Sequence, residues 1–131
     1  MNPGFLDYQV RAHETAQPYI DACATLEASP AADPDSTMCV DFLQLAYTTL
    51  GLAGEAGEFA NKVKKVLRDA GGEITPESRA ALVKELGGVL WYLSECCTQL
   101  EVNFGDVAKL NLQQLKSRAE RGKLQGSGDD R

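Results

Sequence analysis

The chain has 131 residues, of which 44% are hydrophobic and 24% charged, a balance typical of one globular domain, so we expect residues 1–131 to form a single unit. Its formal net charge of -6 at pH 7 excludes a protein that binds nucleic-acid polymers nonspecifically, because such a protein needs a basic face. No apolar run approaches the ~20 residues that span a bilayer, and no secretory signal is visible, so we expect no membrane partner and a cytoplasmic location.

Residues 5–26 form the first predicted helix, in which Leu6, Val10 and His13 follow helical spacing. Pro18 lacks an amide hydrogen, so a break or kink in this helix is expected there. His13 is interpreted as a surface or interface histidine rather than a ligand. Proline, aspartate and serine are frequent in residues 28–37, which predicts a loop.

Residues 38–70 form the long central helix, which we expect to end at Gly71 and Gly72. Two glutamates and two lysines of this helix recur at intervals of three and four, so they share one helix face. They are Glu55, Glu58, Lys62 and Lys65. The adjacent apolar stripe consists of Leu52, Ala56, Phe59, Val63, Val66 and Leu67. Carboxylates beside a buried stripe suit a hard divalent cation, although a solvated face with Glu–Lys pairs would give the same pattern.

Three glycines interrupt the central helix, at Gly51, Gly54 and Gly57. Each costs about 1 kcal/mol relative to alanine inside a helix. Glycine is accepted where another element or a ligand must approach the backbone closely, and we predict such an approach here. A later helix start, with the glycines in a loop, is the alternative, but the apolar period runs from Leu43 through Leu67 and favours the helix.

The third predicted helix covers residues 76–100, with Thr75 as N-cap and Pro76 at its first position. Its main apolar face consists of Leu82, Leu86, Val89, Leu93 and Leu100. The neighbouring stripe consists of Glu85, Gly88, Tyr92 and Glu95. A carboxylate beside leucines is costly to bury unless it is paired or holds a metal, which makes Glu85 a candidate site residue.

The last predicted helix begins after Asn103, its N-cap, and ends at Gly122. Residues 122–131 are glycine-rich and charged, which by itself is typical of a frayed terminus. The cysteines are Cys23, Cys39, Cys96 and Cys97. The last two would point roughly 100° apart on a helix and do not make a zinc spacing, so we interpret all four as small buried residues in a reducing compartment.

Two segments together closely resemble the MazG-like nucleoside triphosphate pyrophosphohydrolases: residues 50–58 (LGLAGEAGE) and residues 85–93 (ELGGVLWYL). The resemblance covers residues 44–131 well and the first forty residues only loosely. It implies an all-α fold, namely a four-helix MazG-like bundle completed by oligomerisation into a homodimer or homotetramer. Within it, residues 38–121 would be the core helices, residues 1–37 an N-terminal helix and loop, and residues 122–131 a tail.

The resemblance also implies a reaction. Family members hold Mg²⁺ through an E-x-x-E plus E-x-x-D pattern on two antiparallel helices. Glu55, Glu58 and Glu85 match the first three carboxylates, as metal ligands for Mg²⁺ (or Mn²⁺) and as catalytic residues, whereas Gly88 stands where the family has aspartate. The expected activity is hydrolysis of a (deoxy)nucleoside triphosphate between the α- and β-phosphates to a monophosphate and pyrophosphate, for nucleotide-pool control or house-cleaning. The alternative is a catalytically weakened nucleotide-binding or assembly protein, because Gly88 removes an oxygen ligand.

The nucleotide itself would be contacted by residues of both halves of the chain. They are Lys62, Lys65, Tyr92, Asn111, Arg121, Lys123, Ser127 and Arg131. The two lysines would neutralise the β- and γ-phosphates, Tyr92 could stack on the base or simply pack, and the tail would fold over the phosphates. In some relatives the first helix helps to recognise the base, which would give such a role to His13 or Tyr19.

Overall fold

The computed structural model describes residues 4–28 and 40–122, and over these ranges the chain is all-helical. The helices are α1 (Phe5–His13), α2 (Gln17–Glu27), α3 (Val40–Asp69), α4 (Pro76–Gln99) and α5 (Phe104–Glu120). The all-α class is therefore confirmed, whereas completion by oligomerisation stays a prediction. None of the described helices is long and apolar enough to cross a membrane.

The first predicted helix is two helices, separated by a turn between His13 and Gln17. Pro18 is the second residue of α2 rather than an interruption of a longer helix. A proline is tolerated in the first turn of a helix, because the amide hydrogen that it lacks would have no partner there. The predicted break is confirmed, and it falls just before the proline.

The other helix ends follow from local side chains. Gly71 and Gly72 have φ angles of 58° and 89°, in the left-handed region that ends α3. Thr75 caps α4 by accepting a hydrogen bond of 3.2 Å from the amide of Ser78. Asn103 caps α5 in the same way, through a bond of 2.8 Å from the amide two residues on. These predicted boundaries are confirmed.

Helices α3 and α4 form the main packed pair, with α1 and α5 on α4 and α2 on α3. A small core lies where α2 meets this pair, and it consists of Ala16, Tyr19 and Cys23 with Ile20, Leu43 and Trp91 packed against it. Aromatic rings dominate it: Tyr19 stacks on Tyr47 with centroids 5.0 Å apart, and Trp91 meets the Tyr19 ring edge-on. Ring contacts of Tyr19 therefore help to hold α2 against α3 and α4.

The apolar face predicted for α4 is largely exposed in the single chain, which corrects the sequence analysis. Leu86 and Leu93 are 48% and 37% exposed, whereas Glu85 and Glu95 of the neighbouring stripe are 7% and 0% exposed. On α3 the predicted apolar stripe is also incomplete, since Leu67 is 70% exposed. Helical spacing identified the two stripes, but it could not show which one turns inward.

The cysteines follow the prediction in part. Cys23 and Cys97 are buried, as expected for small apolar residues, and Cys96 is half-buried. Burial raises the pKa of the Cys97 thiol, so it is less reactive than an exposed cysteine. Cys39 lies outside the described residues.

A buried carboxylate joins α1 and α2 to α4, and sequence reasoning missed it. Glu95 is fully buried, and its Oε2 lies 2.9 Å from His13 Nδ1 and accepts a hydrogen bond of 3.0 Å from the Tyr19 hydroxyl. That hydroxyl in turn accepts a bond of 2.8 Å from Gln99. The other oxygen of Glu95, Oε1, is buried without a hydrogen-bond partner among the described residues. The one histidine is thus an interface residue, paired with an acid that the sequence placed beside leucines.

Tyr19 gives this cluster a testable pH dependence. Burial and the hydrogen bond to Glu95 raise the pKa of Tyr19 well above its ordinary value of about 10. The folded chain therefore holds the phenol proton more tightly than the unfolded chain, so this stabilisation is complete below about pH 10 and is lost as pH rises further. We expect Tyr19→Phe to lower the free energy of unfolding by about 1 kcal/mol at pH 8 and to reduce the loss of stability between pH 9 and pH 11.

Urea unfolding at each pH measures both quantities. Tyr8 and Tyr92 also have raised pKa values, so some alkaline destabilisation should persist in the variant. Tyr92→Phe is the matched comparison, since it removes a phenol that does not contact Glu95. An alkaline slope that Tyr19→Phe leaves unchanged would contradict the assignment.

Candidate functional site

The candidate site lies in the seam between α3 and α4, where the two helices run antiparallel. Gly51 faces Tyr92 and Gly88 faces Glu55, since a Cβ added at either glycine would overlap the facing side chain. The same antiparallel register places residue 58 opposite residue 85. The predicted acidic positions of the two helices are therefore brought to one seam.

The carboxylates in this seam differ in exposure. Glu85 is buried, Glu55 is half-buried and Glu58 is exposed. Glu55 reaches across to the α4 backbone at Gly88, where an added Cβ would also lie 3.1 Å from its Cγ. Gly88, where the chain departs from the family pattern, is thus in direct contact with Glu55, one of the predicted metal ligands.

Lys62 compensates the charge of the buried Glu85. Its Nζ lies 3.4 Å from Oε1 of Glu85, and its own side chain is partly exposed. A carboxylate as buried as this one needs such a partner, because desolvation penalises an unpaired charge. Lys62, which is predicted to bind phosphates, therefore lies at the acidic seam, where its ion-pair partner is the Glu85 carboxylate.

Apart from Tyr92, the other predicted nucleotide contacts that fall within the described residues are not gathered at the seam. Lys65 and Asn111 are exposed, and no hydrogen bond or ion pair joins either to the seam in residues 4–28 and 40–122. Lys65 lies near Asp69, whose pKa is lowered mainly by Arg68 and further by this lysine. Arg121 is exposed at the end of α5. The tail residues of the prediction lie outside the described residues: Lys123, Ser127 and Arg131.

Tyr92 lies in the seam as a packing residue and beside Glu55. Its ring covers the backbone of Gly51 and meets Trp91 edge-on, with centroids 4.8 Å apart. Burial raises its pKa, and the nearby Tyr47 and Glu55 raise it further. Tyr92 is therefore a packing residue, as one of its two interpretations predicts. Its position beside Glu55 is also compatible with contact to a nucleotide, which stays a prediction.

The glycine prediction is confirmed at one of its three positions. At Gly51 a side chain would collide with the Tyr92 ring, so the close approach is real. Around Gly54 and Gly57 an added Cβ would meet nothing within 4 Å in the described chain. No element of the described chain approaches the backbone there, and approach by a ligand or a second chain stays a prediction.

An open pocket of about 360 Å³ lies on the α1 side of α4. Its lining consists of Tyr8, Arg11, Ala12, Glu14, Thr15 and Trp91. Trp91 Nε1 donates a hydrogen bond of 2.8 Å to Thr15 Oγ1, which fixes the indole at the pocket wall. Trp91 belongs to the motif at residues 85–93, but no pattern in the sequence pointed to this pocket.

The seam residues fit a divalent cation by their chemistry. Carboxylate oxygens are the donors that Mg²⁺ prefers, and Glu55, Glu58 and Glu85 line one seam. Over residues 4–28 and 40–122, no three His, Cys, Asp or Glu side chains are gathered closely enough to hold a metal as they stand. To hold one ion, these side chains would have to close on it, and Lys62 would have to turn away from Glu85.

Comparison with known proteins agrees with the motifs. Residues 44–122 match the MazG nucleotide pyrophosphohydrolase domain. The chain is 46% identical over 113 residues to the "Gene 37 protein" of Mycobacterium phage L5. The aligned residues cover 86% of this chain and 99% of the phage protein. No solved structure matches it. The match over more than half of the chain, on the helices that carry the acidic seam, establishes that the chain belongs to the MazG nucleotide pyrophosphohydrolase family.

Proposed function

We propose that the protein hydrolyses a (deoxy)nucleoside triphosphate between the α- and β-phosphates, with Mg²⁺ or Mn²⁺, to a nucleoside monophosphate and pyrophosphate. The observation that carries the proposal is the acidic seam, in which Glu85 is buried, Glu55 lies on Gly88 and Glu58 lies in register with Glu85. Family membership supports the reaction class. Such an activity would serve nucleotide-pool control or house-cleaning in the cytoplasm.

The chain's own carboxylates have two tasks in this reaction. Glu85, the least exposed, would be a ligand only, because it is shielded from bulk water. Glu55 and Glu58 are more exposed, so either could also accept the proton of the attacking water while its oxygen bonds to the α-phosphorus and pyrophosphate leaves. A bound divalent ion supplies charge that polarises the α-phosphate and makes the water more acidic.

Lys62 links the carboxylates to the phosphates. In the structure it neutralises Glu85, and a divalent ion at Glu85 would take over that task. The released ammonium group could then neutralise the β- or γ-phosphate. Lys65, about one turn further along α3, would extend this basic edge.

The nucleoside would lie towards the pocket on the α1 side. Trp91 follows Gly88 by three residues, which is about 4.5 Å along the helix axis, and Tyr92 adjoins it. Aromatic rings beside a triphosphate site suit a base, because every base has a face to stack. We propose that Asn111, Arg121 and the tail residues Lys123, Ser127 and Arg131 reach the phosphates in the assembled oligomer.

A homodimer or homotetramer is proposed from the exposed leucines. Leu86, Leu90 and Leu93 follow helical spacing on one exposed face of α4. A contiguous apolar patch of this kind is typical of an interaction surface. The open space around Gly54 and Gly57 would let a second chain approach α3 closely.

The alternative function rests on Gly88. If the lost carboxylate abolishes turnover, the protein is a nucleotide-binding or assembly protein that retains the fold. Hydrolysis and nucleotide binding without turnover would both use the seam and the pocket. They differ in whether pyrophosphate is released.

Pyrophosphate release is the direct test. We expect the purified chain to release pyrophosphate from at least one of a panel of ribo- and deoxyribonucleoside triphosphates when Mg²⁺ or Mn²⁺ is present, and EDTA to abolish this release. Glu85→Gln should reduce the release to background, because it removes a negatively charged ligand. The control is Glu73→Gln, which changes an exposed glutamate in the turn between α3 and α4 and should leave the rate unchanged.

Two outcomes separate the competing functions. Calorimetric nucleotide binding without pyrophosphate release from any triphosphate would favour the alternative. Absence of both binding and release would refute the proposed function.

The oligomer has its own test by light scattering after size-exclusion chromatography. We expect a dimer or tetramer at micromolar concentrations, and Leu90→Glu should shift it to monomer, because burying the new charge in an interface is costly. Leu112→Glu, on the exposed surface of α5, should leave the assembly intact. A wild-type chain that is monomeric under these conditions contradicts the proposal.

A further inference from the structure

The glycine at position 88 differs from the glycine beside it. A Cβ added at Gly88 would overlap Oε2 of Glu55 and lie 2.5 Å from its Cδ. A Cβ added at Gly87 would meet nothing within 4 Å. The absence of a side chain at position 88 is therefore what allows the Glu55 carboxylate to lie against α4.

The position of the Glu55 carboxylate matches that of a side chain rooted on α4. Its oxygen lies where the first atom of a residue-88 side chain would be. Glu85 precedes Gly88 by three residues, a spacing that puts their side-chain positions about 5–6 Å apart on one helix face. A carboxylate at this place is therefore a neighbour of Glu85, although it comes from α3.

We propose that Glu55 takes the ligand place that Gly88 has vacated, so that three carboxylates of this chain complete a site that its relatives build from four. The inference rests on the divalent-ion site of the proposed function. It makes Gly88 a requirement of the site, because any side chain without a ligand atom would push the Glu55 carboxylate out of position.

A single methyl group distinguishes this proposal from a simple loss of a ligand. If Gly88 only marks a missing aspartate, Gly88→Ala removes no ligand and ion binding is unchanged. If Glu55 lies in the vacated place, the alanine methyl displaces its carboxylate and ion binding weakens. Gly88→Asp is larger than alanine but brings its own carboxylate to the same place, so it should retain binding.

Mn²⁺ titration of the full chain without nucleotide, followed by electron paramagnetic resonance of free Mn²⁺, measures the effect apart from turnover. We expect Gly88→Ala to weaken Mn²⁺ binding about tenfold and Gly88→Asp to remain within about threefold of wild type. Gly87→Ala is the matched control, with the same change on the same helix in open space, and it should bind Mn²⁺ like wild type. Circular dichroism checks that each variant is folded.

Equal Mn²⁺ binding by Gly88→Ala and wild type would overturn the inference, and so would a wild-type chain that binds no Mn²⁺. If Gly88→Ala does not fold, Glu55→Ala and Gly88→Asp together make the test: Gly88→Asp should recover the Mn²⁺ binding that Glu55→Ala loses but add little to wild type. An equal gain from Gly88→Asp in both backgrounds would overturn the inference. A chain that shows the expected binding pattern but releases no pyrophosphate would refute the proposed function and leave the inference standing. The two failures are therefore distinguishable.

Discussion

Close packing of α4 on α3 is the constraint on which the rest of the structure depends. The helices meet where one of them lacks a side chain: the Tyr92 ring fills the space over Gly51, and the Glu55 carboxylate fills the space over Gly88. These two contacts, four residues apart on each helix, fix the antiparallel register. Glu58 and Glu85 come into line as a result, so the same contacts that pack the pair also assemble its acidic seam.

This packing turns the polar stripe of α4 inward and its leucines outward. Glu85 is compensated by Lys62, and Glu95 by His13 and Tyr19, so each buried acid has a partner on another helix. Buried acidic groups of this kind add little net stability, because the cost of desolvation offsets the interaction with their partners. The apolar surface that would stabilise an ordinary helix pair is left available for contact with another chain.

Much of this fold follows from local rules, because capping and glycine signals act within a few residues. Thr75, Asn103 and Gly71 therefore marked helix ends correctly. The inward stripe of α4 could not be predicted, since spacing defines a face but burial depends on what packs against it. His13 and Glu95 are 82 residues apart in sequence, so no local pattern connects them. The metal-ligand candidates came from helical spacing and from the family motif, whereas the contact between Glu55 and Gly88 required coordinates.

The ion pair between Lys62 and Glu85 also bears on how the protein is made. In a zinc finger the ligands repel one another or remain dispersed until the metal arrives, so that binding and folding are one event. Here the ammonium group of Lys62, on the neighbouring helix, is already the counter-ion of Glu85, so the helical pair can assemble without a metal ion at that carboxylate. Burial of the Glu85 carboxylate therefore does not require a metal ion when the chain folds.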